Sequence, residues 1–139
     1  MLEEKLKLAI KEAEKLHGHL GPFLVLGVKM GETAKKILKT TSLQVTVKVP
    51  FLTPFSCVLD GIQVATQSTI GNQKLKIKNS SKEISADFQC VKIGKKLTIA
   101  INPKITEALM RKLSEGASNE ELAWKIARMP ENQLFIMKE

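Results

Sequence analysis

The chain has 139 residues, 43% hydrophobic and 26% charged, which is typical of a single globular domain with its own core. The formal net charge is +8, but only Arg111 and Arg128 are arginines and aromatic residues are few, so we do not expect a nucleic-acid partner. No apolar run approaches the roughly 20 residues that span a bilayer, so we expect no membrane contact. There is no signal-peptide pattern, and two cysteines are too few for a disulfide framework, so we expect a cytoplasmic protein.

Hydrophobic spacing predicts an α+β fold, with an antiparallel β-sheet and helices packed over one of its faces. The glycines Gly27 and Gly31 make a small-residue stripe on the second predicted helix, which indicates either that another backbone packs closely there or that the helix simply tolerates glycine. Polar residues at 79–82 and Gly94 are expected to supply hairpin turns. The predicted elements are helices at 2–17 and 22–39, a strand at 43–49, a helix at 54–66, strands at 74–78, 83–91 and 96–102, helices at 104–115 and 119–129, and a short strand at 134–137.

The only two histidines lie close together in the sequence. His17 continues the apolar stripe of the first predicted helix and should point inward, whereas His19 lies in the turn before the second helix. The N-terminus of a helix presents free N–H groups and a partial positive charge. The turn therefore combines two imidazoles with a helix end that favours anions, although such a pair can equally consist of a capping histidine and a solvated one.

Cys57 is the second candidate, because it falls in the first turn of the third predicted helix, where the helix dipole favours the thiolate. Asp60 lies three residues further on and shares a helix face with Cys57, and Gln63 can pair with this carboxylate or with a ligand. A thiolate, two imidazoles and a carboxylate suit a divalent metal. The alternative is that Cys57 is a small buried hydrophobe, which is what we expect of Cys90 on the apolar face of a strand.

These residues fall in two motifs that resemble those of the FmdE-like family, which is named after the E polypeptide of formylmethanofuran dehydrogenase. The first motif is His17-Gly18-His19-Leu20-Gly21-Pro22, which is followed by an apolar helix containing glycines. The second is Cys57-Val58-Leu59-Asp60-Gly61-Ile62-Gln63, followed by Gln67-Ser68-Thr69-Ile70-Gly71-Asn72. The resemblance covers nearly the whole chain and implies one FmdE-like domain over residues 1–139.

Two positions depart from the family pattern. The family has a cysteine where this chain has Gly21 and another where it has Ser68, and serine does not replace a thiolate as a soft ligand. Many family members also carry a C-terminal zinc-binding module with paired cysteines, which this sequence does not contain. The resemblance therefore implies the core domain, with fewer thiols at its site.

The resemblance implies a metal- or redox-linked accessory domain of one-carbon metabolism more than it implies a reaction. FmdE is not the catalytic polypeptide of the tungsten or molybdenum formylmethanofuran dehydrogenase. We therefore expect a non-catalytic subunit or accessory protein that associates with oxidoreductase subunits of this kind. Relatives resemble intertwined homodimers, in which the stripe of Gly27 and Gly31 would form a close contact between helices.

Our leading hypothesis is an FmdE-like accessory domain that binds a divalent metal or a small ligand, with zinc as the expected metal and nickel or iron as alternatives. Two other hypotheses stay open: a non-metal structural or regulatory interaction module with a degenerate site, and a thiol-dependent enzyme that uses Cys57 as nucleophile with His17 or His19 as base. The expected site consists of three metal ligands, two residues behind them and three residues lining the same pocket: His17, His19 and Cys57; Asp60 and Gln63; and Ser68, Thr69 and Asn72.

Overall fold

The computed structural model describes residues 2–139 and contains every helix and strand that the sequence predicts, each with end points within two residues of the prediction except at the start of the third helix. The predicted start of that helix is a separate 3₁₀ turn at Phe55–Cys57. One short helix, at Glu131–Leu134, was not predicted. The elements are α1 (Glu4–His17), α2 (Pro22–Leu38), β1 (Gln44–Val49), α3 (Val58–Thr66), β2 (Leu75–Asn79), β3 (Ser85–Cys90), β4 (Lys95–Ile101), α4 (Pro103–Ser114), α5 (Asn119–Arg128), α6 (Glu131–Leu134) and β5 (Phe135–Lys138).

The five strands form one mixed sheet in the order β2-β1-β3-β4-β5. The prediction of an antiparallel sheet was wrong for one of the four strand pairs, because β1 and β2 are parallel. Residues 79–82 consequently form no hairpin turn: β3 pairs with the other side of β1, and Ser80 crosses its end by donating an N–H to the carbonyl of Val49. The hairpin predicted at Gly94 is confirmed, since β3 and β4 are antiparallel and Gly94 has a φ of 66°.

The sheet has one covered face and one open face. In β1, the valines at 45, 47 and 49 are buried among the helices, while Gln44 and Lys48 are exposed on the opposite face. Helix α2 lies at the centre of the covered side and packs against α1, α3, α5 and the strands β3 and β4. With 17 residues it is the longest helix, yet nowhere in residues 2–139 is there a helix with the length and apolar character needed to cross a membrane.

Helices α2 and α3 touch at their backbones through glycines. A Cβ atom added at Gly27 would lie 2.1 Å from the carbonyl oxygen of Val58, and one added at Gly61 would lie 2.2 Å from that of Leu24. The close backbone approach predicted from the glycine stripe is therefore confirmed. Its partner is α3 of the same chain rather than a helix of a second protomer, so the stripe is not available for the dimer contact that we expected. The contact holds the start of α3 beside the start of α2.

Lys29 joins α2 to the C-terminal end of α5. Its side chain is buried, and its Nζ donates to the carbonyl oxygens of Ile126, Ala127 and Met129. These carbonyls belong to the last turn of α5 and to its C-cap, where most carbonyls have no partner inside the helix; that of Ile126 also accepts from the N–H of Met129. Burial lowers the pKa of Lys29, and the carboxylate of Glu131 opposes this shift. The lysine thus completes the hydrogen bonding of the α5 terminus from inside the fold.

Candidate metal centre

The two sequence motifs meet where α1 ends and where α2 and α3 begin. Gly18 closes α1 with a φ of 98°, a left-handed conformation that turns the chain between the two histidines. The two imidazole rings lie 4.6 Å apart between centroids. One ligand atom from each of His17, His19 and Cys57 lies within 4.8 Å of the other two, which brings the three predicted metal ligands into one cluster.

His17 is held by Asp60 in the orientation that a metal ligand requires. Its Nδ1 lies 2.6 Å from Oδ2 of Asp60, and its Nε2 is buried without a hydrogen-bond partner among the residues that the structure describes. A buried ring nitrogen without a partner is costly, and metal-ligating histidines typically donate their other N–H to a carboxylate. With Nδ1–H donated to Asp60, the lone pair of Nε2 is free for a metal ion. The residues present therefore fit a metal.

Cys57 is buried, and it carries a protonated thiol near neutral pH. Burial raises the pKa of Cys57, the carboxylate of Asp60 raises it further, and a backbone hydrogen bond at the helix start lowers it by less. The expectation that the helix dipole favours the thiolate was therefore wrong for the metal-free protein, because desolvation outweighs it. A bound metal would displace this proton. A thiol with a raised pKa is not an activated nucleophile, which weighs against the thiol-enzyme hypothesis.

A chain of hydrogen bonds links His17 to the loop after α3. Oδ1 of Asp60 accepts from Nε2 of Gln63 at 3.4 Å, and Oε1 of Gln63 accepts from the backbone N–H of Ile70 at 3.3 Å. Both oxygens of the Asp60 carboxylate are thus used, one by His17 and one by Gln63. Asp60 contacts His17 directly and Gln63 contacts Asp60, so the role of both residues behind metal ligands stays a prediction.

The three polar residues of the loop make contacts within the fold. Ser68 is buried and donates its hydroxyl to the carbonyl oxygen of Leu43 at 2.6 Å. Thr69 and Asn72 bond each other: the N–H of Thr69 donates to Oδ1 of Asn72 at 2.9 Å, and the N–H of Asn72 donates to Oγ1 of Thr69 at 3.1 Å. These contacts shape the loop that Gln63 reaches. A direct role of the three side chains in lining a ligand pocket stays a prediction.

Asn119 borders the site and was not predicted from the sequence. It is the first residue of α5, and a Cβ atom added at Gly21 would lie 3.4 Å from its Oδ1. Asn119 therefore occupies the space next to the position at which the family pattern has a cysteine. Nothing in the sequence signals this contact, because the two residues lie far apart along the chain.

A cavity of about 610 Å³ lies elsewhere, against the C-terminal half of α2, and contains no member of the cluster.

Two comparisons with known proteins bear on the family of this chain. A protein from Archaeoglobus fulgidus named "Probable S-adenosyl-L-methionine-binding protein" is 35% identical over 77 residues, which cover 52% of this chain and 21% of that protein. This chain thus matches only about a fifth of the length of that relative. A family model described as "FmdE, Molybdenum formylmethanofuran dehydrogenase operon" matches residues 16–136, a segment that contains all three cluster residues. This chain belongs to the FmdE family.

Proposed function

We propose that this domain binds one divalent metal ion, zinc, through Nε2 of His17, a ring nitrogen of His19 and Sγ of Cys57. The observation that carries this proposal is the buried, unpartnered Nε2 of His17 within a cluster that contains a second imidazole and a thiol. Two nitrogen donors and one sulfur donor suit zinc well, while nickel and iron also accept such a set. A zinc ion with three protein ligands keeps one position open for water or another ligand and acts there as a Lewis acid.

We further propose that the domain serves as an accessory, non-catalytic partner of a molybdenum or tungsten formylmethanofuran dehydrogenase or a related cytoplasmic oxidoreductase. The family description, which names the operon of that enzyme, supports this association. The raised pKa of Cys57 supports a binding role over covalent catalysis, because a protonated thiol is a weak nucleophile. The chemistry that remains at the cluster is ligation and transfer of a bound ligand rather than thiol attack.

We propose a homodimer, intertwined as the family resemblance implies, and the exposed apolar surface near the cluster supports it. Of the eight large apolar side chains with more than half of their surface exposed among residues 2–139, four lie on segments that adjoin the site: Leu16, Phe51, Leu52 and Ile70. Leu16 precedes His17, the carbonyl of Leu52 accepts from the residue before Cys57, and Ile70 donates to Gln63. Exposed apolar groups concentrated beside a site are typical of a surface that another protein covers.

Metal binding is tested by elemental analysis and zinc titration of tag-free protein. We expect one ion per chain in the wild type, loss of binding in His17→Ala and Cys57→Ala, and full binding in Cys90→Ala, which removes the other buried cysteine. Cobalt substitution adds a signature, since only Cys57 ligation produces thiolate charge-transfer absorption. Absence of metal and of measurable affinity in the wild type would refute the proposal. If His17→Ala changed stability alone, the module would be structural instead.

The dimer is tested by light scattering coupled to size exclusion. We expect Leu52→Ser combined with Ile70→Ser to yield monomers, while Val91→Ser, which is 67% exposed and lies in the β3–β4 turn, stays dimeric. A monomeric wild type would refute the dimer without affecting the metal proposal. Zinc titration of both variants then shows whether the site is complete within one chain.

S-adenosylmethionine is a second candidate ligand, because the Archaeoglobus fulgidus relative bears that name and shares 35% identity over 77 residues. Calorimetric titration of the metal-free and the zinc-loaded protein tests it. Saturable binding that His17→Ala removes would place this ligand at the cluster. Absence of heat in both forms would indicate that this chain does not bind S-adenosylmethionine, and that the relative binds it through the part of its length that is not matched here.

A further inference from the structure

The open face of the sheet carries a group of lysines that the metal centre does not explain. Lys48 on β1 lies directly opposite Lys78 on β2, and Lys76 lies two residues before Lys78 on the same face. At the opposite edge of the same face, Lys138 on β5 is paired with Thr98 on β4. Lys96 lies two residues before Thr98 on that strand. All five lysines are exposed. We call them the sheet-face lysines.

The charge of this face is not balanced within the chain. Two carboxylates lie on this face: Oδ1 of Asp87 accepts from the hydroxyl of Thr98 at 2.6 Å, and Oε2 of Glu83 accepts at 2.5 Å from the hydroxyl of Ser85, which is paired with Lys48. Among residues 2–139, no ion pair involves any of the sheet-face lysines, whereas Lys5, Lys7 and Lys35 on the helices each pair with a glutamate. Five lysines against two carboxylates leave a surplus of three positive charges on this face, out of the chain's net charge of +8.

This arrangement costs stability. Like charges directly opposite each other on neighbouring strands repel, and Lys48 faces Lys78 in this way with no carboxylate between them. Lysines on edge strands commonly prevent sheets from pairing with each other, which accounts for Lys76, Lys78 and Lys138. That reason does not apply to Lys48 or Lys96, which lie on inner strands of the sheet.

The face between the lysines is polar, with Ala100 and the exposed Ile136 paired on β4 and β5. Thr46, Asp87 and Thr98 lie in register across the three inner strands, with Gln44 and Gln89 paired beside them. Neighbouring strands are about 4.8 Å apart, so the lysines of β2 and β5 lie roughly 19 Å from each other across four spacings.

We propose that the open sheet face is a docking surface for an acidic surface of a partner protein. Charge complementarity supports this partner: five unpaired lysines border a hydrogen-bonding strip and would attract carboxylates on both of its sides. No arginine and no aromatic side chain points outward from the described strands. These are the side chains that bind phosphates through two hydrogen bonds and stack on bases in nucleic-acid sites. An acidic protein therefore fits this face better than RNA or DNA does. The proposal does not depend on the metal centre.

The test uses the full chain with labelled poly-L-glutamate as the acidic probe and an oligouridylate of matched charge as the nucleic-acid probe, both at low salt. The variant Lys48→Glu/Lys78→Glu reverses two sheet-face lysines. The control Lys11→Glu/Lys104→Glu reverses two exposed helical lysines and changes the net charge equally. Affinity is followed by fluorescence anisotropy, and the contact surface is mapped by amide chemical-shift changes in NMR spectra.

We expect poly-L-glutamate to bind with shift changes on β1, β2, β4 and β5. The sheet-face variant should weaken this binding at least tenfold and the control less than threefold. Equal weakening by both variants would overturn the proposal, because it would show a response to net charge alone. Shift changes on the helices rather than the sheet would also overturn it. Tighter binding of the oligouridylate, lost in the same variant, would replace the acidic protein with a nucleic acid as the partner.

Discussion

The substitution Asp60→Asn tests whether this carboxylate prepares His17 for metal binding. In the wild type, its two oxygens accept from Nδ1 of His17 at 2.6 Å and from Nε2 of Gln63 at 3.4 Å. An asparagine of nearly the same shape has one acceptor oxygen and an NH₂ group. Gln63 cannot turn to meet that group without breaking its bond with the N–H of Ile70. Either His17 or Gln63 therefore loses its acceptor in the variant.

We expect Asp60→Asn to weaken zinc binding by about 10- to 100-fold, the usual cost of removing a carboxylate that orients a ligating histidine. This corresponds to roughly 1.4–2.8 kcal/mol. One effect opposes the loss: the carboxylate also raises the pKa of Cys57, so its removal makes the thiol easier to ionise. This compensation acts only where the thiol is still protonated. The loss of affinity should therefore be smaller at pH 7 than at a pH above the pKa of this thiol.

The assay is competition for zinc against a chromophoric chelator at both pH values. The control is Asp87→Asn, which alters the other aspartate of the chain at its bond with Thr98 on the open sheet face. Unchanged affinity in Asp60→Asn at both pH values, or an equal loss in the control, would refute the positioning role. If His17→Ala also left the affinity unchanged, the metal centre itself would be refuted.

Three further predictions concern packing, capping and pH. Gly27→Ala should lower the free energy of unfolding in urea by about 3 kcal/mol, because the added Cβ would lie 2.1 Å from a carbonyl oxygen of α3. The control Gly71→Ala should be nearly neutral, because its Cβ would meet no atom closer than 3.8 Å. Lys29→Met should cost about 1–3 kcal/mol, because the carbonyl oxygens of Ala127 and Met129 lose the lysine as donor and that of Ile126 keeps just the N–H of Met129. Lys36→Met, on the exposed side of the same helix, should cost little. Because the pKa of Cys57 lies above its ordinary value of 9.0, zinc affinity should rise about tenfold per pH unit from pH 7 to 9, and a flat profile would contradict zinc ligation by this thiol.

Local elements of this fold could be predicted because their signals are local. The alternation of valines in β1 and the glycine that ends α1 depend on the periodicity of a strand and on the conformational freedom of one residue. Ser118 illustrates the same point, since its hydroxyl accepts from the N–H of Glu121, only three residues away. Signals of this kind do not reveal which strands pair. The parallel register of β1 with β2 was therefore missed.

The identity of the candidate site could be predicted in part. Both histidines and one of the two cysteines fall in two motifs, and the structure brings their ligand atoms together. Their chemical state could not be predicted. The raised pKa of Cys57 results from burial and from Asp60, and the free Nε2 of His17 results from a bond that joins residues 43 positions apart. Desolvation and hydrogen bonding are set by neighbours that only the folded chain supplies.

The amino-acid sequence alone therefore determined the helices and strands, the family resemblance and the residues capable of chemistry. The tertiary structure decided what each of these residues contacts. It directed the glycine stripe to α3 of the same chain and placed Lys29 at carbonyl groups about 100 residues away. It also gathered lysines that are scattered along the sequence onto one open sheet face. The reason is physical: periodicity and capping act between near neighbours, whereas strand pairing, backbone contact and burial join residues that are distant in the chain.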